Sequence, residues 1–371
     1  MSDTTPVKVG LIGCGNISGQ YFEFAKKTDK FDVVAVADLN REAAQAKADE
    51  HGVPRVLGVD ELIDDAEVEV VLNLTIPQAH VPLMLRSLEA GKSTYCEKPL
   101  GTDRDEAKVL VDAAGRSDLL VGCAPDTVLG AGIQTARAAI EDGRIGDVTA
   151  FTAVMAGGGH ESWHPSPEFY YKKGGGPMLD MGPYYLTALL HLLGPIRRVA
   201  AFADITRPQR TITSEPKNGQ VIDVETYDHY AGILELASGV TGTMVQSFAV
   251  PFHDFNGNHP VTIHGTRGVL LVPDPNSFDG KVCLKTDQNG TFEELPPVTA
   301  EGYGRGVGLA DLCDALRAGR RTFRSDVRVS YAVLDAMLGF NESGETGRAY
   351  DLTAEPITPE AMPRGGSFDQ Y

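Results

Sequence analysis

Along the first third of the chain, short apolar runs alternate with stretches whose apolar residues recur every three or four positions. Residues 7–12, 31–37, 68–74, 93–96 and 119–122 read as strands buried on both faces; 20–27, 41–51, 80–89 and 104–114 read as helices between them. Regular strand–helix alternation builds a doubly wound parallel sheet, because each crossover returns the chain to the same direction. After Pro125 the pattern changes. A helix over 132–142 is followed by strand-like segments at 148–155, 197–204, 230–235, 240–248, 261–264 and 268–272, parted by turns such as Ala237-Ser238-Gly239. Adjacent strands joined by short turns make a largely antiparallel sheet. A helix over 178–193 interrupts the run, and helices over 308–318 and 327–343 follow it. The expected architecture is α/β with two domains: 1–125 with the parallel sheet, and 126–371, an α+β domain with a large, mainly antiparallel open sheet. A sheet covered on one face leaves the other to meet a partner, so a homodimer or homotetramer is expected.

The first apolar run turns at Gly13-Cys14-Gly15-Asn16-Ile17-Ser18, and the second ends in Asp38. Strand, glycine turn, helix, strand and acid is the order a dinucleotide site needs, which makes the first domain Rossmann-type. Gly13 permits the tight turn, and Gly15 lets the backbone approach a pyrophosphate. Asn16 and Ile17 open a helix N-terminus whose free amides face that anion. Asp38 accepts hydrogen bonds from ribose hydroxyls and repels a phosphate on the same ribose, which favours NAD over NADP. Arg41 offsets part of that repulsion, and Asp38 also suits a helix N-cap.

Composition narrows the partners. The 371 residues carry a formal net charge of −18 with no long Lys/Arg cluster, so nucleic acid is not expected. The five cysteines are scattered and form no CxxC pair, which fits a reducing cytoplasm. The polar start of the chain is no signal peptide, and no apolar run reaches membrane-spanning length.

Two further groups of residues carry chemistry. In the first domain, ligands bind at the carboxyl ends of the strands. Thr75 and His80 follow one such end, and Glu97 and Lys98 follow the next, so all four are expected to line the cofactor. A lysine there holds a substrate hydroxyl and shuttles its proton. In the second domain, Asp180 and Tyr184 are four residues apart and share one helical face, behind a mobile loop, Gly174-Gly175-Gly176. Asp180 accepts from hydroxyls; Tyr184 donates to a carbonyl, or takes a proton when a cation lowers its pKa. His160, Trp163 and His164 follow a strand and are candidate substrate contacts, the aromatic face of Trp163 suiting sugar C–H groups. His160, Glu161 and His164 also have a zinc-like spacing, but the glycines and prolines around them oppose the helix that pattern needs, so no metal is expected.

The motifs GCGNIS at Gly13–Ser18, TIPQAH at Thr75–His80, CEKPL at Cys96–Leu100 and GGGPMLDMG at Gly174–Gly182 together resemble the glucose–fructose oxidoreductase / inositol dehydrogenase / MocA family over nearly the whole chain. The resemblance implies an N-terminal Rossmann domain and a C-terminal α+β domain whose open sheet forms the oligomer interface. It implies NAD(P)-dependent oxidation or reduction of sugars and polyols, with Lys98 as catalytic lysine and Asp180 as substrate-orienting carboxylate. Many members have histidine four residues after that aspartate, where this chain has Tyr184. The segment after the last Rossmann strand also departs from the family, and makes Asp126 a candidate substrate contact.

The expected activity is hydride transfer between NAD and a carbinol or carbonyl carbon of a sugar, sugar derivative or cyclic polyol. One rival is a redox-neutral, NAD-dependent glycosidase or sugar-modifying enzyme with tightly bound NAD. Another is a non-catalytic dinucleotide sensor, which would not need Lys98, Asp180 and Tyr184 together.

Overall fold

The computed structural model describes residues 5–252 and 259–365. They form two units. The first comprises the described residues up to Gly130, Thr299–Tyr331 and those from Pro359 onward; the second comprises Ala131–Val298 and Ala332–Thr358.

In the first unit, β1 (Val7–Ile12), β2 (Phe31–Ala37), β3 (Val70–Asn73), β4 (Ser93–Cys96) and β5 (Val121–Cys123) form a parallel sheet in the order β2-β1-β3-β4-β5. All residues of β3, β4 and β5 are buried, as strands covered on both faces must be. Chain order reverses beside β1, which leaves a crevice at the carboxyl ends of β1 and β3. The helix Arg41–His51 starts on the side chain of Asn40, which accepts from the Glu42 and Ala43 amides, and ends at Gly52 with φ +72°. A short helix, Val59–Asp64, was too brief to show a helical period in the sequence.

The chain leaves this unit at Gly130, five residues beyond the expected boundary, and returns to it at Thr299. Two sets of contacts tie the return in place. One Asp126 oxygen accepts the Gly306 and Gly308 amides at the start of the helix Val307–Arg317. The Cys123 amide of β5 donates to the Ser325 carbonyl, so residue 325 covers the sheet edge.

The second unit carries β6 (Val148–Ala156), β7 (Ile196–Asp204), β8 (Gln209–Thr211), β9 (Val221–Asp223), β10 (His229–Leu236), β11 (Thr241–Ser247), β12 (Val261–Gly265), β13 (Val269–Val272), β14 (Cys283–Lys285), β15 (Glu293–Glu294) and β16 (Tyr350–Asp351). Nine of them form one sheet, β15-β14-β13-β12-β6-β11-β10-β7-β16, in which only β6 and β11 pair in parallel. β8 and β9 form a separate hairpin. Between the buried residues of β7 and β10 stand Phe202 and Ile233, 83% and 53% exposed.

The helix expected over 178–193 is two helices, Gly176–Asp180 and Gly182–Leu193. Pro183 causes the break. It has no amide to give the Leu179 carbonyl, and its ring would collide with that group in a continuous helix. Asp180 therefore ends one helix and Tyr184 lies in the first turn of the next, with the single residue between the two helices, Met181, still in the right-handed helical region.

Candidate active site

In the first unit the glycine turn has the form a pyrophosphate needs. Gly13 has φ +99°, and a Cβ there would stand 2.7 Å from the Leu74 carbonyl group at the end of β3, so only glycine fits. Gly15 is exposed, and a Cβ on it would meet nothing within 4 Å, which leaves the turn open to an approaching anion. The buried Ser18 hydroxyl donates to the Gly15 carbonyl at 2.7 Å and closes the turn, which explains a serine at the third small position. Asn16 is exposed and Ile17 half-buried at the start of the helix Ser18–Ala25. The Asp38 oxygens accept the Cys14 and Asn40 amides, each at 2.8 Å, so the carboxylate is fixed beside the turn and keeps lone pairs for further donors. These residues fit NAD.

Lys98 follows β4, half-buried, ahead of a cis Lys98–Pro99 bond. Its main chain is held on both sides. The Lys98 amide donates to one Glu97 oxygen at 3.0 Å, while the other accepts the Tyr21 hydroxyl at 2.9 Å. The Pro99 carbonyl lies 2.7 Å from His80 Nδ1, and Nε2 of the same ring is 3.1 Å from the Thr75 carbonyl. Burial pushes the His80 pKa down. His80 and Glu97, both expected to line the cofactor, are buried and brace this turn: His80 lies against two backbone carbonyls, and Glu97 takes hydrogen bonds from the Lys98 amide and the Tyr21 hydroxyl. Thr75 is half-buried, and its hydroxyl donates to the Asn73 side chain at 2.6 Å.

Asp126, expected as a substrate contact, is fully buried; one oxygen accepts the Gly306 and Gly308 amides and caps a helix, and the other has no hydrogen-bond partner in the structure. Burial raises its pKa from 3.8 to about 6, against the opposing pull of Arg305 and the two amides. A carboxyl raised on folding stabilises the fold while protonated, below about pH 4, and that contribution disappears as pH rises through about 6. At about 1.4 kcal/mol per pH unit, the loss amounts to about 3 kcal/mol. Asp126→Asn should remove it, so the difference in unfolding free energy between variant and wild type should grow between pH 4 and 7. A difference independent of pH would show that this carboxyl ionises normally in the fold.

In the second unit, Asp180 and His160 meet. His160 Nε2 lies 3.4 Å from an Asp180 oxygen, and both side chains are largely buried. The His160 ring stacks on Tyr170 at 3.7 Å and lies 5.2 Å from Trp163. Trp163 and Phe169 stand edge-on to His164, each at 5.4 Å. Glu161, the acid of the zinc-like spacing, instead pairs with Arg210 at 2.8 Å and takes a hydrogen bond from the Tyr171 hydroxyl. Tyr184 is buried. The glycine loop is closely packed at Gly175, where a Cβ would stand 2.5 Å from the Phe169 carbonyl. Sequence reasoning missed Tyr21 and Arg210, whose partners are distant in the chain, and Phe169 and Tyr170, whose rings are brought against His164 and His160 by the short turn Pro167–Tyr171.

Residues 7–124 match the model of an oxidoreductase family with an NAD-binding Rossmann fold, and residues 133–271 match that of the GFO/IDH/MocA C-terminal domain. The chain is 25% identical over 308 residues to a trans-1,2-dihydrobenzene-1,2-diol dehydrogenase of Bos taurus, covering 81% of this chain and 84% of that protein. It is 27% identical over 272 residues to an inositol 2-dehydrogenase of Rhizobium meliloti, covering 72% and 75%. Its fold is similar to that of levoglucosan dehydrogenase in complex with NADH and L-sorbose, with a TM-score of 0.78, 22% identity, and 95% and 100% of the two chains covered.

Proposed function

The chain belongs to the GFO/IDH/MocA oxidoreductase family, and on that premise we propose that it is an NAD-dependent dehydrogenase or reductase of a sugar, sugar derivative or cyclic polyol. Bound NAD supplies a hydride acceptor or donor. Lys98 moves the proton of the reacting hydroxyl, Asp180 fixes that hydroxyl, and Tyr184 assists the proton transfer. His160, Trp163 and His164 contact the substrate, while Gly13, Gly15, Asn16, Ile17, Asp38, Thr75 and Lys98 hold the cofactor. The carrying observation is the fixation of Lys98 between Glu97 and the His80–Pro99 contact, in the same unit as the open Gly15 turn. A non-catalytic sensor has no use for a lysine held in this way. The names of the two dehydrogenase relatives, which denote ring diols and inositols, support the substrate class.

Inositols and monosaccharides screened with both cofactors should give reduced cofactor with at least one compound, and NAD should exceed NADP by about tenfold or more in kcat/KM, or about 1.4 kcal/mol. No activity with either cofactor would overturn the dehydrogenase reading. Equal efficiency would overturn the role given to Asp38 and turn attention to Arg41.

The exposed Phe202 and Ile233 on the nine-stranded sheet support a homo-oligomer formed through that face. Light scattering should give a dimer or tetramer at micromolar concentration, and Phe202→Asp should shift it toward monomer. A monomeric wild type would refute this.

A further inference from the structure

Trp163 and Phe169 are 61% and 56% exposed, yet the segment that carries them is pinned from both sides. On the inner side, buried Arg210 donates to Glu161 and the Gly158 carbonyl with one nitrogen, and to Asp228 and the Phe248 carbonyl with the other. The His160 amide donates to the Tyr171 hydroxyl, which in turn donates to Glu161. On the other side, the β8–β9 hairpin grips the segment. The Thr213 and Ser214 amides reach the Glu161 carbonyl, the Ser214 hydroxyl donates to the His164 carbonyl, and Lys217 pairs with Glu168. Burying charges at Arg210, Glu161 and Asp228 has a desolvation cost that apolar residues would avoid. What the network provides is position: it holds two large rings in solvent.

The rings have an order. Asp180 meets His160, His160 lies against Trp163 and Tyr170, and Trp163 and Phe169 flank His164. Asp180 is linked to this series at His160, whereas the rings exposed to solvent are Trp163 and Phe169. His164 adds a polar group between those faces. Its Nδ1 accepts the Ser166 amide at 3.0 Å, and burial and neighbouring His160 push its pKa down, so the neutral ring carries its proton on Nε2. Two aromatic faces, negative at their centres, with one hydrogen-bond donor between them suit the C–H surface and hydroxyls of a sugar ring.

We propose that Trp163, His164 and Phe169 form an outer subsite for a second ring, the neighbouring sugar or aglycone of a glycoside, while the ring at Asp180 reacts. This rests on the sugar and polyol reading above.

Trp163 is the chain's single tryptophan, so protein tryptophan emission reports this surface alone. The protein with NAD is titrated with glucose and myo-inositol, and with maltose, cellobiose and phenyl β-glucoside. At least one two-ring compound should change the emission saturably and bind at least about threefold more tightly than the one-ring compounds, the weight of one aromatic contact. Phe169→Ala should lose that advantage. Equal binding of both groups, no saturable response to any two-ring compound, or an undiminished advantage in Phe169→Ala would overturn the subsite. An emission change that follows protein concentration instead of sugar would also overturn it, by placing a second copy on the surface. A two-ring response without cofactor reduction by any compound would leave the subsite standing and refute the dehydrogenase reading. Cofactor reduction by glucose or inositol without a two-ring advantage would do the reverse.

Discussion

Lys98→Ala should lower kcat by about 10²–10⁴-fold while NAD affinity stays within a few-fold, the range expected when acid–base assistance is lost. The geometry separates the two effects. Glu97 holds the Lys98 main-chain amide and His80 holds the Pro99 carbonyl, so removing the lysine side chain leaves its turn in place. The glycine turn and the Asp38 contacts to the Cys14 and Asn40 amides do not involve Lys98 at all. Lys98→Ala should therefore bind NAD, as isothermal titration would show, and fail at turnover. Glu97→Gln provides the contrast. It keeps an oxygen for one of the two donors that the carboxylate serves, the Lys98 amide and the Tyr21 hydroxyl, and loosens the lysine instead of deleting it. Its loss in kcat should be smaller. Full activity in Lys98→Ala would reduce Lys98 to a turn residue.

Local pattern carried much of the fold. β1, β2 and β4 have the bounds that the apolar runs suggest, because largely buried strands leave short apolar segments, which in β1 and β2 are broken only near their starts by Lys8 and Asp32. The glycine turn was legible for the same reason: its strand, turn and acid lie within 38 residues. Roles set by distant partners were not. Asp126 reaches amides 180 and 182 residues away, and Arg210 joins residues 49 and 18 away. His80 is held by two carbonyls, which every residue possesses and which leave no mark in the sequence. The helix break is a different failure. Gly182-Pro183 was visible, but the strong apolar period through residue 193 obscured the steric demand of one proline.

Asp180→Asn and Tyr184→Phe should fail in different ways. Asp180 ends the helix Gly176–Asp180 with its carboxylate beside His160 Nε2. A group that holds a hydroxyl before and during reaction contributes to both ground and transition states. Asp180→Asn should therefore raise KM and lower kcat, each by about tenfold or more, since the amide is uncharged and offers one acceptor oxygen in place of two. Tyr184 lies in the first turn of the next helix, and its hydroxyl matters chiefly while the proton moves. Tyr184→Phe should lower kcat by about tenfold or more with a smaller change in KM. A phenol ordinarily ionises near pH 10, so a role in proton transfer should also alter the alkaline limb of the pH–rate profile in Tyr184→Phe. Near wild-type kcat and an unchanged profile in Tyr184→Phe would make the ring a packing group of the helix Gly182–Leu193, and would leave Lys98 as the acid–base residue.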